Sequence, residues 1–354
     1  MNRASRSRTA AGRSPFVAGE LLPRFAVRDE NGHGAGLLSA LEGGPSILLY
    51  LPQPASPAAQ KAARHLAQLE SPIPRLTRAL LVPPGTRGAE VVSLADLDLK
   101  VYVSQKPDEA AAAGNAMVYA ITDTAGRVLK SASLPFGKFS QIGAHIGTAF
   151  SSNAETSDSA RVGTAPVLMI PDVLAPSLCK RLVAHFEQNE THPSGVLDLS
   201  GAKPEWRPDP AIKSRRDMKL EDPELAGELE QAVVTRVLPE IHKCFYYVVT
   251  HHEPFKLVRY DEGSGYFRPH RDNETDDTLY RRFAMTLNLN AGDYEGGALE
   301  FPEFGTATYR PPTGGAIVFS CSLLHEATDV TRGHRYVALG FFYNPADGLS
   351  PEPG

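Results

Sequence analysis

Over the first 150 residues, short apolar runs alternate with stretches of helical spacing. Ile47-Leu48-Leu49-Tyr50-Leu51 is apolar throughout, the pattern of a strand buried on both faces. Residues 56–70 take up a helical pattern that opens on Ser56-Pro57, a cap followed by a proline at the first helical position. Leu80-Leu81-Val82 and the run from Met117 to Thr122 read as further strands. Asp123-Thr124-Ala125-Gly126 then turns the chain into Arg127-Val128-Leu129. Strands alternating with helices predict an α/β domain over residues 16–148.

The pattern stops at F-S-S-N-A-E-T-S-D-S-A, residues 150–160, where nothing large and apolar follows Phe150. Such a stretch predicts a linker, placed here at 149–160, and a second domain over 161–354. That domain begins with a helix around 176–189, carrying Leu178, Leu182, Val183 and Phe186 on one side. A second helical stretch covers about 222–245 and is interrupted or kinked at Pro239. From Phe255 onward the pattern is short strands between Gly/Pro turns: 256–260, 283–289, 298–301, 316–320 and 336–343. Many short strands after two helices predict a sandwich or barrel buttressed by those helices.

Composition narrows the function classes. The 354 residues are 42% hydrophobic and 22% charged, which is the make-up of a folded chain and not a disordered one. With 36 basic against 41 acidic residues the net charge is −5, so nothing favours a nucleic-acid or anionic-membrane partner. No apolar run reaches bilayer-spanning length. Cys179, Cys244 and Cys321 lie far apart without a CxxC pair, which fits a reducing, cytoplasmic setting. The first fourteen residues hold Arg3, Arg6, Arg8 and Arg13 with no acid before Glu20. Transit peptides share that composition, but a frayed basic tail over residues 1–15 is the preferred reading. Oligomeric state is left open.

Gly19-Glu20-Leu21-Leu22-Pro23-Arg24-Phe25, then Asp29-Glu30-Asn31-Gly32 and residues 47–52, resemble the opening of peroxiredoxins and other thioredoxin-like proteins. The resemblance continues through the hairpin at 118–128. In that family a peroxide-reducing cysteine starts the helix after this strand, where the helix N-terminus lowers its pKa. The matching stretch here is Ala55-Ser56-Pro57-Ala58-Ala59-Gln60, and no cysteine precedes Cys179. Thiol chemistry in this domain is excluded. A scaffold, a dimerisation surface and a substrate-presenting module remain open for it.

The candidate chemistry lies in the second domain. In His270-Arg271-Asp272, positions i and i+2 of an extended segment project to one side, so both side chains can reach one metal ion. By itself an HxD is as compatible with a surface histidine beside a solvated acid. A third ligand from a distant strand would complete the two-histidine, one-carboxylate face of non-haem Fe(II) oxygenases. His325 lies fifty-three positions after Asp272, just past the strand-like Gly314-Gly315-Ala316-Ile317-Val318-Phe319. Ten residues later stands Arg335, whose guanidinium can pair with the far end of a dicarboxylate chelated to the metal.

The series runs from Arg259-Tyr260-Asp261-Glu262-Gly263 through Phe267-Arg268-Pro269-His270-Arg271-Asp272, Arg282 and Leu287-Asn288-Leu289-Asn290. It continues through Gly296-Gly297-Ala298-Leu299-Glu300-Phe301 to His325 and Arg335. It resembles the 2-oxoglutarate- and Fe(II)-dependent oxygenases, and among them the prolyl 4-hydroxylase-like group. The fold this implies is a double-stranded β-helix, or jelly roll. The resemblance makes His270, Asp272 and His325 the iron ligands and Arg335 the partner of the 2-oxoglutarate C5 carboxylate. Tyr260 would hydrogen-bond the cosubstrate, and Asn288 falls where some relatives place a tyrosine that touches it. A carboxylate at Asp272 argues against the related halogenases, which leave that position free for halide.

The implied reaction uses Fe(II), 2-oxoglutarate and O2, with ascorbate as an optional addition, to hydroxylate a C–H bond. A prolyl side chain in a peptide or protein is the first substrate reading, and a free amino acid or other small molecule the second. A different class, a non-catalytic metal-containing binding module, is disfavoured by the intact ligand set. Closed zinc sites recruit a fourth ligand, and none is evident here. His251, His252 and His334 read as bystanders. Lys213, Arg215, Arg216 and Asp217 either line an entrance or form a solvated loop. Trp206, Tyr246, Tyr247 and residues 194–217 mark where a lid would form.

Overall fold

A computed structural model describes residues 16–22, 26–29, 34–41, 44–71, 73, 76–86, 97, 99–105, 117–134, 140–154, 164–198, 205–207, 209–275 and 277–348. The chain divides into two compact units, Met1–Arg161 and Val162–Gly354.

The first unit is a seven-stranded mixed sheet. Its order is Gly34–Gly36, Ala26–Arg28, Lys100–Ser104, Thr77–Val82, Ser46–Tyr50, Met117–Thr122 and Val128–Leu134. The central Ser46–Tyr50, Thr77–Val82 and Lys100–Ser104 strands run parallel, and the flanking pairs are antiparallel. The apolar run at Ile47 explains this burial. Ile47, Leu49 and Leu51 enter the core on one face, while Leu48 and Tyr50 enter a second core on the other. Helix Pro57–Ala67 starts where Ser56 Oγ accepts the Ala59 N–H at 3.2 Å, and it buries Ala59, Ala62, Ala63 and Leu66.

The linker reading needs correction. Helix Ser140–Ala154 extends through residues 149–154, because Ile142, Ile146 and Ala149 recur at helical spacing and bury into the sheet's core. Residues 155–160 of the expected linker, and the basic tail at 1–15, lie outside the described residues.

The second unit is built on two main antiparallel sheets with helices on one side. The larger sheet runs Leu168–Ile170, Ala316–Ser320, Phe283–Asn288, Arg335–Tyr343, Lys256–Tyr260, Arg216–Lys219 and His192–Pro193, with His251–His252 also on Arg335–Tyr343. The smaller runs Lys213–Ser214, Tyr266–His270, His325–Ala327, Leu299–Glu300 and Thr308–Tyr309. This matches the jelly-roll expectation. Strand alternation separates two cores. Phe283, Met285, Leu287, Tyr336, Ala338 and Phe342 pack on one face with Leu178, Leu182, Phe186, Leu229 and Val233 of the helices. Val258, Tyr260, Ala284, Ile317, Phe319 and Val337 occupy the other core with Leu299 and Ala327 of the smaller sheet.

The helical stretch expected to kink at Pro239 is two helices, Pro223–Arg236 and Leu238–Phe245, divided at Val237. Pro239 belongs to the first turn of the second helix, where its missing N–H costs nothing. Asp222 caps the first helix by accepting the Leu225 N–H at 2.9 Å.

Candidate metal centre

Strand pairing brings the three ligand candidates together. His270 closes Tyr266–His270, His325 opens His325–Ala327, and the two are direct cross-strand partners. Asp272 follows in the turn, its N–H donating to the Cys321 carbonyl at 3.0 Å. One ligand atom from each of His270, Asp272 and His325 lies within 4.8 Å of the others. The His270 Nε2 is 3.5 Å from Asp272 Oδ1, and the His325 Nε2 is 3.4 Å from Asp272 Oδ2.

The imidazoles are oriented by the chain itself. Each Nδ1 faces the carbonyl two residues back, Arg268 O at 2.8 Å for His270 and Leu323 O at 3.0 Å for His325. A carbonyl only accepts, so each Nδ1 carries the proton and each Nε2 keeps a lone pair aimed at the centre. Burial, with His270 beside it, pushes His325 down to about 4, so that ring is neutral at physiological pH. Burial pushes the Asp272 carboxyl up, but His325 and His270 outweigh it and hold it below the usual carboxylate range. Phe267 stacks on His270, and Phe319 meets the His325 ring edge-on at 4.5 Å between centroids. Two imidazole nitrogens and one carboxylate, dry on their flanks, suit a divalent iron. The cluster holds three donors, two imidazoles and one carboxylate.

A cavity partly open to solvent extends from these ligands to Tyr260 and Arg335. Arg335 is the first residue of the central Arg335–Tyr343 strand, is 3% exposed, and pairs across the ladder with Tyr260. Its guanidinium lies over the Tyr260 ring, 4.9 Å from the centroid. Its Nε has no hydrogen-bond partner among the described residues. A buried guanidinium with an unpaired N–H can take a carboxylate as its partner. Gly297, at φ +56°, makes room for it, because a Cβ there would stand 2.9 Å from Arg335 Cδ.

Residues 255–343 match the family model described as the 2OG-Fe(II) oxygenase superfamily. The C-terminal unit therefore carries a 2OG-Fe(II) oxygenase domain, and Tyr260, His270, Asp272, His325 and Arg335 all fall inside the matched segment. A PKHD-type hydroxylase of Picosynechococcus is 38% identical over 85 residues, which is 23% of this chain and 38% of that protein. A PKHD-type hydroxylase of Acaryochloris marina is 40% identical over 86 residues, again 23% of this chain and 38% of that protein. The chain thus spans well under half the length of the relatives it matches. A Pseudomonas putida prolyl-4-hydroxylase structure aligns with 20% identity, covering 52% of this chain and 97% of that one, at a TM-score of 0.39. A Trichoplax adhaerens prolyl hydroxylase, solved with a peptide fragment of hypoxia-inducible factor, aligns with 15% identity over 56% and 93% at a TM-score of 0.40.

Some residues stand apart from the oxygenase cavity. Asn288 does not line it. Its amide donates to Tyr294 Oη at 2.8 Å and to the Pro311 carbonyl at 2.9 Å, and Thr286 of the same strand faces the cavity instead. His251 is exposed, His252 lies 3.5 Å from Glu230, and His334 pairs with Asp261 at 3.2 Å; none of the three lines the cavity. In the region considered for a lid, Val196–Asp198 pairs with Glu205–Arg207 as a short ladder, while residues 199–204 and 208 lie outside the described residues.

Sequence reasoning underrated Arg215. It lies between Lys213–Ser214 and Arg216–Lys219, lines the cavity, and donates from Nη1 to Tyr260 Oη at 3.0 Å. Asp217 pairs with it at 2.9 Å and accepts from Ser194 Oγ at 2.7 Å. Burial opposes the Arg215 charge, but Asp217 and Tyr260 outweigh that and raise its pKa. Lys213 is buried too, donating from Nζ to the Gly195 carbonyl at 2.6 Å. Burial, then the neighbouring Arg215, pulls Lys213 down to about 7. The signal was available. Lys213, Arg215 and Asp217 stand at i, i+2 and i+4, one face of an extended segment, while Arg216 points away to Thr191.

Proposed function

We propose that this chain is an Fe(II)- and 2-oxoglutarate-dependent dioxygenase that hydroxylates a C–H bond, with a prolyl residue of a peptide or protein as its substrate. The observation that carries the reading is the pairing of a His-Asp-His cluster with a buried, acceptor-seeking Arg335 at the far end of one cavity. His270, Asp272 and His325 would hold the iron. When bound, iron with 2-oxoglutarate and O2 supplies oxidative decarboxylation to succinate and CO2 coupled to hydroxylation.

The chain's own residues do the rest. Arg335 pairs with the C5 carboxylate of 2-oxoglutarate, and its depth fixes how far the keto-acid end reaches toward the ligands. Tyr260 receives an N–H from Arg215, which leaves its own O–H free to donate toward the cosubstrate. Leu339, Phe341 and Phe319 give the cavity apolar walls that keep bulk water from the reacting end. The prolyl reading is supported by the motif series and by hydroxylase relatives; a free amino acid or other small molecule is the second reading.

The domain boundaries follow from this reading: an oxygenase domain from about residue 161, and before it a thioredoxin-like domain over 16–148 that works without thiol chemistry. Three unpaired cysteines support a cytoplasmic setting. Among the described residues no helix is long and apolar enough to cross a membrane.

The test is anaerobic titration of the Fe(II)-loaded chain with 2-oxoglutarate. A visible charge-transfer band is expected, followed in air by succinate release that a proline-containing peptide accelerates. Absence of the band in an iron-loaded chain overturns the cosubstrate assignment. Acceleration by free amino acids alone would move the substrate to the small-molecule class.

A further inference from the structure

We propose that Arg271 and Glu303 form a buried clamp that positions the metal ligands and sets metal affinity from outside the ligand set. The assignment rests on His270, Asp272 and His325 being the metal site. Arg271 stands between the first two of them in the chain, and its side chain is 4% exposed against 8% for Glu303. The contact is forked. Arg271 Nη2 donates to Glu303 Oε1 at 2.7 Å, and Nη1 to Oε2 at 3.2 Å. Nη1 also donates to the Ser322 carbonyl, and Glu274 lies 3.5 Å from the guanidinium Nε. Glu303 Oε2 accepts a further bond, from the N–H of Leu324 at 2.8 Å. Leu324 is the residue before His325.

One ion pair therefore ties three segments: the turn that carries Asp272, the short helix Pro302–Phe304, and the chain entering His325. The ladder alone does not do this. Pairing of Tyr266–His270 with His325–Ala327 is irregular between Phe267 and His270, and His270 opposite His325 is its last rung. Asp272 and Leu324 lie past that rung. What fixes them relative to each other is the Arg271–Glu303 fork, helped by the Asp272 N–H on Cys321 and by Arg281 Nη1 on the Asp272 carbonyl at 3.2 Å. Asp272 is the one ligand not on a strand, so it has most to lose when its neighbour's anchor goes.

A carboxylate offers an acceptor oxygen to each arm of the guanidinium fork; a glutamine offers only one. In Glu303→Gln one oxygen remains to accept, and the amide N–H₂ faces the guanidinium with like-signed hydrogens. Arg271→Lys keeps the charge but cannot span Glu303 and the Ser322 carbonyl in the same planar fork. Groups that orient metal ligands in this way change metal affinity by about 10–100-fold when altered.

The experiment is Co(II) titration of the full chain, followed by visible absorption, on wild type, Glu303→Gln, Arg271→Lys and His270→Ala. Wild type is expected to take up one Co(II), and His270→Ala to lose it. Glu303→Gln should bind Co(II) about 10–100-fold more weakly with a changed band intensity, and Arg271→Lys should shift both in the same direction by less. Circular dichroism at the titration temperature reports folding, and if Glu303→Gln is unfolded, Arg271→Lys decides. Folded variants with wild-type affinity and spectrum overturn the clamp, even if they melt earlier, because that pattern belongs to a pair supporting only the fold. A wild type that takes up no Co(II), or a His270→Ala chain that still does, overturns the metal site and the clamp with it.

Discussion

The two units bury polar groups in different ways. In the N-terminal sheet the buried polar side chains among the described residues are Ser46, Ser104 and Thr122, and the first and last satisfy each other with a 2.6 Å hydroxyl bond. In the C-terminal unit Lys213, Arg271, His325 and Arg335 are buried as well. A neutral hydroxyl pair costs little to bury, whereas each buried ionisable group costs several kcal/mol unless something compensates it. The first sheet is therefore built to be filled. The second keeps ionisable groups buried, and two of them, His325 and Arg335, line the cavity.

The sharpest way to break this contrast is to remove a ligand. Asp272→Ala should abolish hydroxylation and iron uptake, since two neutral imidazoles cannot balance and orient Fe(II). Succinate release and bound-iron content report it, and full occupancy with near-normal turnover would take Asp272 out of the ligand set.

Next in size is Arg335, the proposed anion receptor. Arg335→Ala would leave the C5 carboxylate buried and unpaired, at about 3–5 kcal/mol, which is at least ~100-fold in apparent 2-oxoglutarate affinity. Arg335→Lys keeps the charge and should cost far less. The readout is the 2-oxoglutarate dependence of succinate formation; an unchanged dependence in Arg335→Ala would relocate the receptor.

Leu49→Ala asks the complementary question of the apolar sheet. Leu49 is fully buried, so about 2–5 kcal/mol of stability should be lost. The 2-oxoglutarate dependence should stay at its wild-type value. Denaturant unfolding and the succinate assay check both halves, and a shifted dependence would show that the first unit shapes the site.

The smallest effect is a slope. Lys213 titrates near 7 when folded, because burial and Arg215 disfavour its charge, and near ~10.4 when unfolded. Between those values the unfolded chain binds more protons, so this residue makes stability rise with pH from about 7 upward. Below about 7 both states are protonated and the contribution is flat. Lys213→Met should reduce that rise, seen as a smaller gain in denaturation midpoint between neutral and alkaline pH than wild type shows.

Much of this was legible in the chain because it depended on period. Ile47–Leu51 announced a strand buried on both faces, and the HxD spacing announced two side chains on one side. What escaped depended on competition between patterns. Ser151, Ser152 and Asn153 read as linker, yet the stripe of Ile142, Ile146 and Ala149 carried the helix through them. Lys213, Arg215 and Asp217 read equally well as a solvated loop, because charge density hides a two-residue alternation that only pairing with a buried strand reveals. Asn288 sat at the right place in the motif series, but its amide was already taken up by Tyr294 and Pro311. Position in a series does not report which partners reach a side chain first.

The central placement of Arg335–Tyr343 also constrains how this protein can be altered. The strand is hydrogen-bonded on both sides, to Lys256–Tyr260 and to Phe283–Asn288. Val337, Leu339 and Phe341 share the face of Arg335, while Tyr336, Ala338 and Phe342 share the other. A slip of one residue would turn Arg335 out of the cavity, and it would also exchange the whole strand's two faces between cores of different shape. Lengthening or shortening the turn before Arg335 by one residue therefore meets the resistance of the entire sheet, and only even shifts preserve which face is which. In this fold the address of the proposed anion receptor is written in parity.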